Sequence, residues 1–427
     1  MIVGLALVLQ VAGAADSLPR ITLAEALQRG ARLDPEYVAA RGAVDNAHWY
    51  RRAAWSAIVT PSLRVAGDLA QYSTPTFVLG ADQPQGRSVT VRAEAFYELF
   101  AGGRKFADLS RARADLDAAQ AAETQERFDA ELRTESDYYQ VLADQELSRV
   151  ARERVRRATE QLSVARARVV SGAAVSTDSL QVLLELNQAR VAELRQNTAL
   201  RVSRLQLGRR VGMQGPVDAA PLVEMRVGTP PLSLAEAIAE ASRTGPRTIE
   251  ARAREDAAEA LVRAQRGSYL PSLTLGATTA TYDTRFFPDA TSRTAFVFSA
   301  SLPIWNGAQR EVLMSQARVQ REIARVTRLD AERAVARDVT ELYEGYTTAR
   351  ATTELAEEAI LVARENYRVQ DTRYRAGATT ILDLLEAQSR LTEAEAELVQ
   401  SRYATRLALA RFEAQLGRRI FNDGTRQ

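Results

Sequence analysis

The 427-residue chain has no cysteine and a single histidine, His48. No disulfide, thiolate metal site or cysteine-linked lipid can therefore form, and a cysteine-free chain suits an exported bacterial protein. With four methionines besides that one histidine there is no metal-binding cluster, and no cofactor is expected. His48 stands among alanines beside Trp49 and reads as packed or exposed, not as a ligand. Lysine is almost absent too: of 56 basic residues all but Lys105 are arginine. They interleave with 54 acids, so no basic face supports nucleic-acid binding. No nucleophile with its base, no carboxylate pair in a cleft and no phosphate loop is visible, so the chain does not read as an enzyme. Beyond residue 15 no apolar run reaches 18 residues, which leaves no membrane-spanning helix. Membrane contact through strands stays open, because their signal is weaker.

What is present is a duplication. Leu23-Ala24-Glu25-Ala26 recurs as Leu234-Ala235-Glu236-Ala237, with Pro35 falling on Pro246 at the same offset of 211. Pro61-Ser62-Leu63 recurs as Pro271-Ser272-Leu273 at offset 210. From residue 99 the offset is 205, matching Gly102 to Gly307, Tyr138 to Tyr343, Arg168 to Arg373, Gly172 to Gly377 and Asp178 to Asp383. The offset drops between Pro61 and Leu99, so the main length difference belongs in a loop there. The repeats are expected over 16–215 and 232–420, with a Gly- and Pro-bearing linker at 216–231 and a tail at 421–427. Residues 2–15 are apolar, end in a small-x-small site at Ala12-Gly13-Ala14 and have the length of a signal-peptide core. Residues 1–15 are expected to be a signal peptide, although no Lys or Arg precedes the apolar run.

Each repeat reads as a helix, a strand pair, a long helix and a shorter helix. Residues 21–58 are helical, with Pro35 an early break and Pro61 the end. In the strand pair at 62–99, Val89, Val91, Ala93, Ala95, Tyr97 and Leu99 alternate with Ser88, Thr90, Arg92, Glu94 and Glu98, giving one dry and one wet face. Leu63 to Leu69 forms a shorter partner, and Tyr72 to Arg87 a loop. The second pair occupies 272–304, and seven of the eleven phenylalanines fall within 61–100 or 271–305. From Gly103 to Ser171 neither proline nor glycine interrupts a helical pattern, so this helix is about 100 Å long. Its twin, 308–376, contains only Gly345. Shorter helices follow at 173–211 and 379–416, and 234–266 reads as one helix. Placed end to end, 173–211 and 234–266 span about 105 Å, which suggests one uninterrupted rod beside one of two stacked pieces.

Strands of about ten residues with a dry face have the length that crosses a bilayer. Four strands cannot close a barrel, and open edges in lipid leave backbone groups unsatisfied. The chain must therefore pool strands with copies of itself, as a head-to-tail ring does. At this point Leu302-Pro303-Ile304-Trp305-Asn306-Gly307, with its echo Leu99-Phe100-Ala101-Gly102-Gly103, carries a resemblance. Together with Arg373-Tyr374-Arg375-Ala376-Gly377-Ala378 leading into Ile381-Leu382-Asp383-Leu384-Leu385-Glu386-Ala387-Gln388, it resembles the outer-membrane efflux protein family, the TolC-like channels. The resemblance covers essentially the whole chain beyond residue 15. It implies a mixed, mainly α fold that forms, as a homotrimer, a 12-stranded outer-membrane β-barrel continued by a periplasmic α-helical barrel. It also implies passive export, powered by an inner-membrane transporter of the RND or ABC type through a periplasmic adaptor. A periplasmic coiled-coil adaptor or scaffold without a pore is the rival reading.

The resemblance places the turns Arg168 to Asp178 and Arg373 to Asp383 at the periplasmic end, where the tunnel narrows and the adaptor docks. Gly172 and Gly377 permit the reversals, with Ala173 and Ala378 beyond them. Asp178, Asp383 and Glu386 are gate candidates: in a trimer each supplies a ring of three carboxylates that favours cations. Thr380-x-x-Asp383 equally reads as a capping box, which needs no gate to explain it. Arg373 and Tyr374 are candidates to latch one hairpin to its neighbour through Asp178. Trp305, Phe100 and Tyr97 at the strand-to-helix junction are candidates for an interfacial aromatic girdle or a packed hinge.

Overall fold

The computed structural model describes residues 18–77, 82–222, 228–284 and 290–421; the expected signal peptide, residues 1–15, lies outside them. The chain divides into two compact units that cut across the repeats. One comprises the residues up to Val38, Gln125–Ala241 and Ala336 onward; the other comprises Ala39–Thr124 and Ser242–Val335.

A two-residue strand, β1 (Arg20–Ile21), precedes α1 (Leu23–Leu33), which Thr22 caps by accepting a hydrogen bond from Glu25 N at 3.3 Å. Asp34 ends α1 and starts α2 (Pro35–Val59), its carboxylate accepting from Glu36 N at 3.1 Å and Tyr37 N at 3.2 Å. A hairpin of β2 (Ser62–Thr76) and β3 (Gln85–Ala101) follows, then α3 (Arg104–Val170) and α4 (Ser176–Arg210). Within the expected linker, β4 (Asp218–Ala219) pairs parallel with β1, so 216–231 is not simply a spacer. The second repeat supplies α5 (Leu234–Thr244), α6 (Pro246–Gly267), β5 (Ser272–Asp283), β6 (Thr291–Ser301), α7 (Gln309–Arg375) and α8 (Ile381–Leu416).

Three sequence expectations need correction. The single helix over 234–266 is two, because Gly245 is extended (φ −61°, ψ 136°) and Pro246 starts a new helix. The loop expected over Tyr72–Arg87 is shorter: β2 runs to Thr76, whose partner is Gln85, and Tyr72 bonds Ser88 through their hydroxyls at 3.1 Å. Pro75 sits inside β2 without penalty because β2 is an edge strand. Finally, β6 ends at Ser301, which leaves Leu302, Pro303 and Ile304 outside the sheet.

In the first unit Tyr138 anchors the small β1–β4 sheet to α3. Its ring is 1% exposed, and its hydroxyl donates to Ala220 O at 2.7 Å and Ile21 O at 3.3 Å. Nearer the helix hairpins, Ala158, Leu162 and Ala165 of α3, Val182 and Leu186 of α4, Tyr374 of α7 and Ile381 and Leu384 of α8 form one core. Four helices therefore share their burial there.

Arg419, just beyond α8, is shared by three carboxylates: Glu131 and Glu135 of α3 and Glu413 of α8, at 2.5, 2.8 and 2.8 Å. Glu413 also accepts from Ile420 N at 2.8 Å, which fastens the end of the described chain to this cluster. One cation facing three anions is itself strongly held in its charged form, whereas each acid feels two like charges beside its one partner. Burial, reinforced by Glu413 and Glu131 against the pull of Arg419, pushes the Glu135 carboxyl from an ordinary 4.5 up to about 6. An acid whose folded value is raised holds its proton more tightly folded than unfolded. Its contribution to stability is therefore complete below about 4.5 and is lost as pH rises through about 6. Wild type should lose about 2 kcal/mol across that window. In Glu135→Gln this part of the pH dependence should disappear, as read from urea midpoints between the two pH values.

Candidate functional site

The four long strands form one antiparallel sheet in the order β2-β3-β5-β6. Its register conserves the repeat. Leu63 faces Ala95 in the first hairpin, and their counterparts Leu273 and Ala300 face each other in the second; Val65–Ala93 likewise becomes Leu275–Phe298. The change of offset from 210 to 205 thus falls between Gln71 and Arg87, where the first hairpin's register shifts before Thr76 pairs with Gln85.

Because paired residues share a face, the register sorts the side chains. One face carries Leu63, Val65, Leu69, Val91, Leu275, Phe296 and Phe298, which are between 37% and 79% exposed. So much open apolar surface in one place calls for a non-aqueous neighbour. Toward the β5–β6 loop the same face turns polar, with hydroxyl pairs Thr279–Thr294 at 3.0 Å and Thr281–Ser292 at 3.1 Å. The opposite face carries most of the charges: Arg64 stands opposite Glu94, and Arg92 reaches Asp68 at 3.3 Å, while Arg87 and Asp283 fall on the apolar face near its polar end. Leu99 does not continue the dry row as its alternation suggested. The register shifts between Glu98 and Phe100, so Leu99 is bulged and Phe100 pairs with Leu273.

The strand-to-helix junction is tightly built in the first repeat. Tyr97 donates its hydroxyl to Ile58 O at 2.5 Å, and the Lys105 ammonium sits 4.5 Å from the Tyr97 ring centroid. Arg104 grips Glu98 through two bonds of 2.9 and 3.0 Å. Gly102 (φ +59°) lies directly against the Gly267 backbone, and a Cβ there would overlap it. Tyr97 is therefore in packed contact, whereas Trp305 (74%) and Phe100 (41%) stand exposed. Arg104 and Lys105 were not singled out as junction residues from sequence. The one signal was that the only lysine of the chain falls just past a strand end.

Both helix hairpins reverse through the same motif. Gly172 (φ +72°) donates to Val169 O at 3.1 Å and Ala173 to Arg168 O at 2.8 Å; Gly377 (φ +78°) donates to Tyr374 O at 3.0 Å and Ala378 to Arg373 O at 2.8 Å. These are the two bonds of a Schellman stop, which satisfies carbonyls the helix leaves open. Each arginine closes its own turn, Arg168 on Ala173 O and Arg373 on Ala378 O, both at 3.3 Å. Only Arg168 also crosses to the other hairpin, bonding Tyr374 O with its guanidinium 4.7 Å from the Tyr374 ring centroid. The cross-link thus uses Arg168 with Tyr374, not Arg373 through Asp178.

The acids differ sharply. Asp383 accepts from Thr379 Oγ1 at 2.7 Å, Thr380 Oγ1 at 2.7 Å and Thr380 N at 3.1 Å, while Thr380 Oγ1 accepts from Asp383 N at 3.3 Å. The capping box is complete, and these bonds from Thr379 and Thr380 hold the Asp383 carboxyl below its ordinary 3.8. Asp178 has Val175 where the other repeat has Thr380, and α4 starts without a side-chain cap. Glu386 is exposed, 3.9 Å from Arg390 one turn on.

Solved structures share this fold of a four-stranded sheet and paired helix hairpins. CusC superposes with a TM-score of 0.79 at 15% identity, covering 93% of this chain and 92% of that one. The outer membrane protein VceC of Vibrio cholerae gives 0.75 at 16%, covering 93% and 97%. The family model for outer membrane efflux proteins matches residues 11–213 and 239–418, and the chain belongs to that family; its place is the outer membrane. Outer membrane protein TolC of Escherichia coli K12 is 26% identical over 211 residues, 46% of this chain and 43% of that protein. Alkaline protease secretion protein AprF of Pseudomonas aeruginosa PAO1 is 27% identical over 316 residues, 70% of this chain and 64% of that protein. The chain thus spans less than two thirds of either relative's length.

Thr380→Ala should lower thermal or urea stability by about 1 kcal/mol through loss of the cap. Val175→Thr should raise it by a similar fraction, since it supplies the hydroxyl that α4 lacks. Equal stability of both variants to wild type would mean that these helix starts are held by packing alone.

Proposed function

We propose that the chain is one third of a passive outer-membrane duct. Three copies close a 12-stranded barrel, with the apolar sheet face against lipid and the charged face inward. The helical parts continue the passage through the periplasm, where an adaptor and an RND- or ABC-type inner-membrane transporter deliver the cargo. The observation that carries this reading is the sheet itself: its apolar face is exposed, and among the described residues β2 and β6 keep one edge each without a strand partner. In hydrocarbon such an edge costs several kcal/mol for each unpaired backbone group, so sister subunits must supply the missing strands. Membership of the outer membrane efflux family supports it further.

In this reading Trp305 and Phe100 stand at the lipid–water interface, and the turns at Gly172 and Gly377 form the periplasmic entrance. Asp383 and Glu386 restrict that entrance as rings of negative charge, with Asp178 as the third acid. The exposure of Asp383 and Glu386 and the lowered carboxyl of Asp383 suit that role. Cargo is selected upstream, by the transporter, so drugs, metal cations and secreted proteins all remain compatible with the same duct.

The decisive experiment is purification from outer-membrane fractions, cross-linking and insertion into planar bilayers. A detergent-stable trimer with discrete conductance steps is expected; a monomer that stays dispersed without detergent and forms no steps would favour the pore-free adaptor or scaffold instead. In the same bilayers Asp383→Ala/Glu386→Ala should conduct more and lose cation preference. Unchanged conductance and selectivity would reduce both acids to helix capping and solvation.

A further inference from the structure

The charged face of the sheet carries an imbalance that the duct reading does not use. Asp68 is paired by Arg92 at 3.3 Å, Glu98 is gripped by Arg104 at 2.9 Å, and Glu94 lies directly across the ladder from Arg64. Asp68 and Glu98 are thus ion-paired, whereas Glu94 and Arg64 are cross-strand neighbours with no ion pair between them. Arg293 of β6 is the arginine left over, with no ion pair to any described residue. The register places it on the charged face: Ala66, Arg92, Ala280 and Arg293 are successive partners across the four strands. Arg92 and Arg293 are thus about 10 Å apart at the usual strand spacing. Ala280 between them is only 4% exposed. On the same face, Arg293 has only Thr291 and Ala295 as neighbours along β6, and Thr278 and Tyr282 diagonally on β5. Within one copy none of these can neutralise a guanidinium.

We propose that Arg293 forms an electropositive collar inside the barrel that favours anions in the outer part of the passage. The inference rests on the trimeric-duct reading, which turns one unmatched guanidinium into a ring of three. A like-charged ring in a narrow passage concentrates counter-ions and excludes ions of its own sign. Arg92 contributes little while Asp68 holds it, so Asp68 acts as a positioning residue that sets the strength of the collar. The favoured solutes are anions small enough to be guided by a guanidinium ring, such as carboxylates and phosphates. Cations meet the collar as a barrier from either side.

The test is the reversal potential under a KCl gradient at about 0.1 M, where the Debye length of about 10 Å keeps the collar visible. The trimer carries Asp383→Ala and Glu386→Ala, so that the periplasmic acids do not set the result. Adding Arg293→Glu should lower the chloride-to-potassium permeability ratio about threefold or more, with Arg293→Gln intermediate. Asp68→Asn, which releases Arg92, should raise the ratio. Conducting trimers whose reversal potential is the same with Arg293, Gln or Glu at this position overturn the collar and leave the duct intact. Trimers that never conduct overturn the duct, and the collar with it.

Discussion

A backbone amide in hydrocarbon has nothing to bond except another strand, and the organisation of this chain follows from that constraint. The sheet contributes four strands, keeps one face dry, and ends in two edges that a single copy cannot satisfy. The described helices carry interleaved arginines and acids, and none of them is long and apolar enough to cross a membrane.

Duplication supplies the scaffold, and small departures from it supply the chemistry. The two hairpins of the sheet keep one register as far as Gln71–Arg87 and Thr281–Ser292, because sliding by one residue would turn every apolar side chain to the wrong face. The two helix turns keep the same Schellman bonds around Gly172 and Gly377. Against that constancy, Thr380 caps α8 where Val175 leaves α4 uncapped, and Arg168 crosses between hairpins where Arg373 stays at home. Backbone geometry is conserved between copies, and side-chain partnership is not.

Much of this was legible in the sequence because its causes are local. Alternation located β3 and β6, the absence of Gly and Pro located α3, and glycine marked both helix turns. What could not be read has distant causes. The β1–β4 pairing is two residues long on each side and exists because Tyr138 holds it, far away in sequence. The bulge at Leu99 is set by β5, and the grip of Arg168 on Tyr374 joins different repeats. The break between α5 and α6 is also local in origin, since Pro246 aligns with Pro35 of the first repeat. For the acids, Thr380-x-x-Asp383 was readable as a cap, but the further hydroxyl of Thr379 was not.

At Gly102 and Gly267 two stretches of main chain touch with no side chain between them. Most packing can drift, since a lost methyl on one side is made good by a larger neighbour on the other. Here there is no partner residue to compensate, and each glycine is hostage to the other. A side chain at either position must displace main chain, so no single substitution fits this joint as it stands.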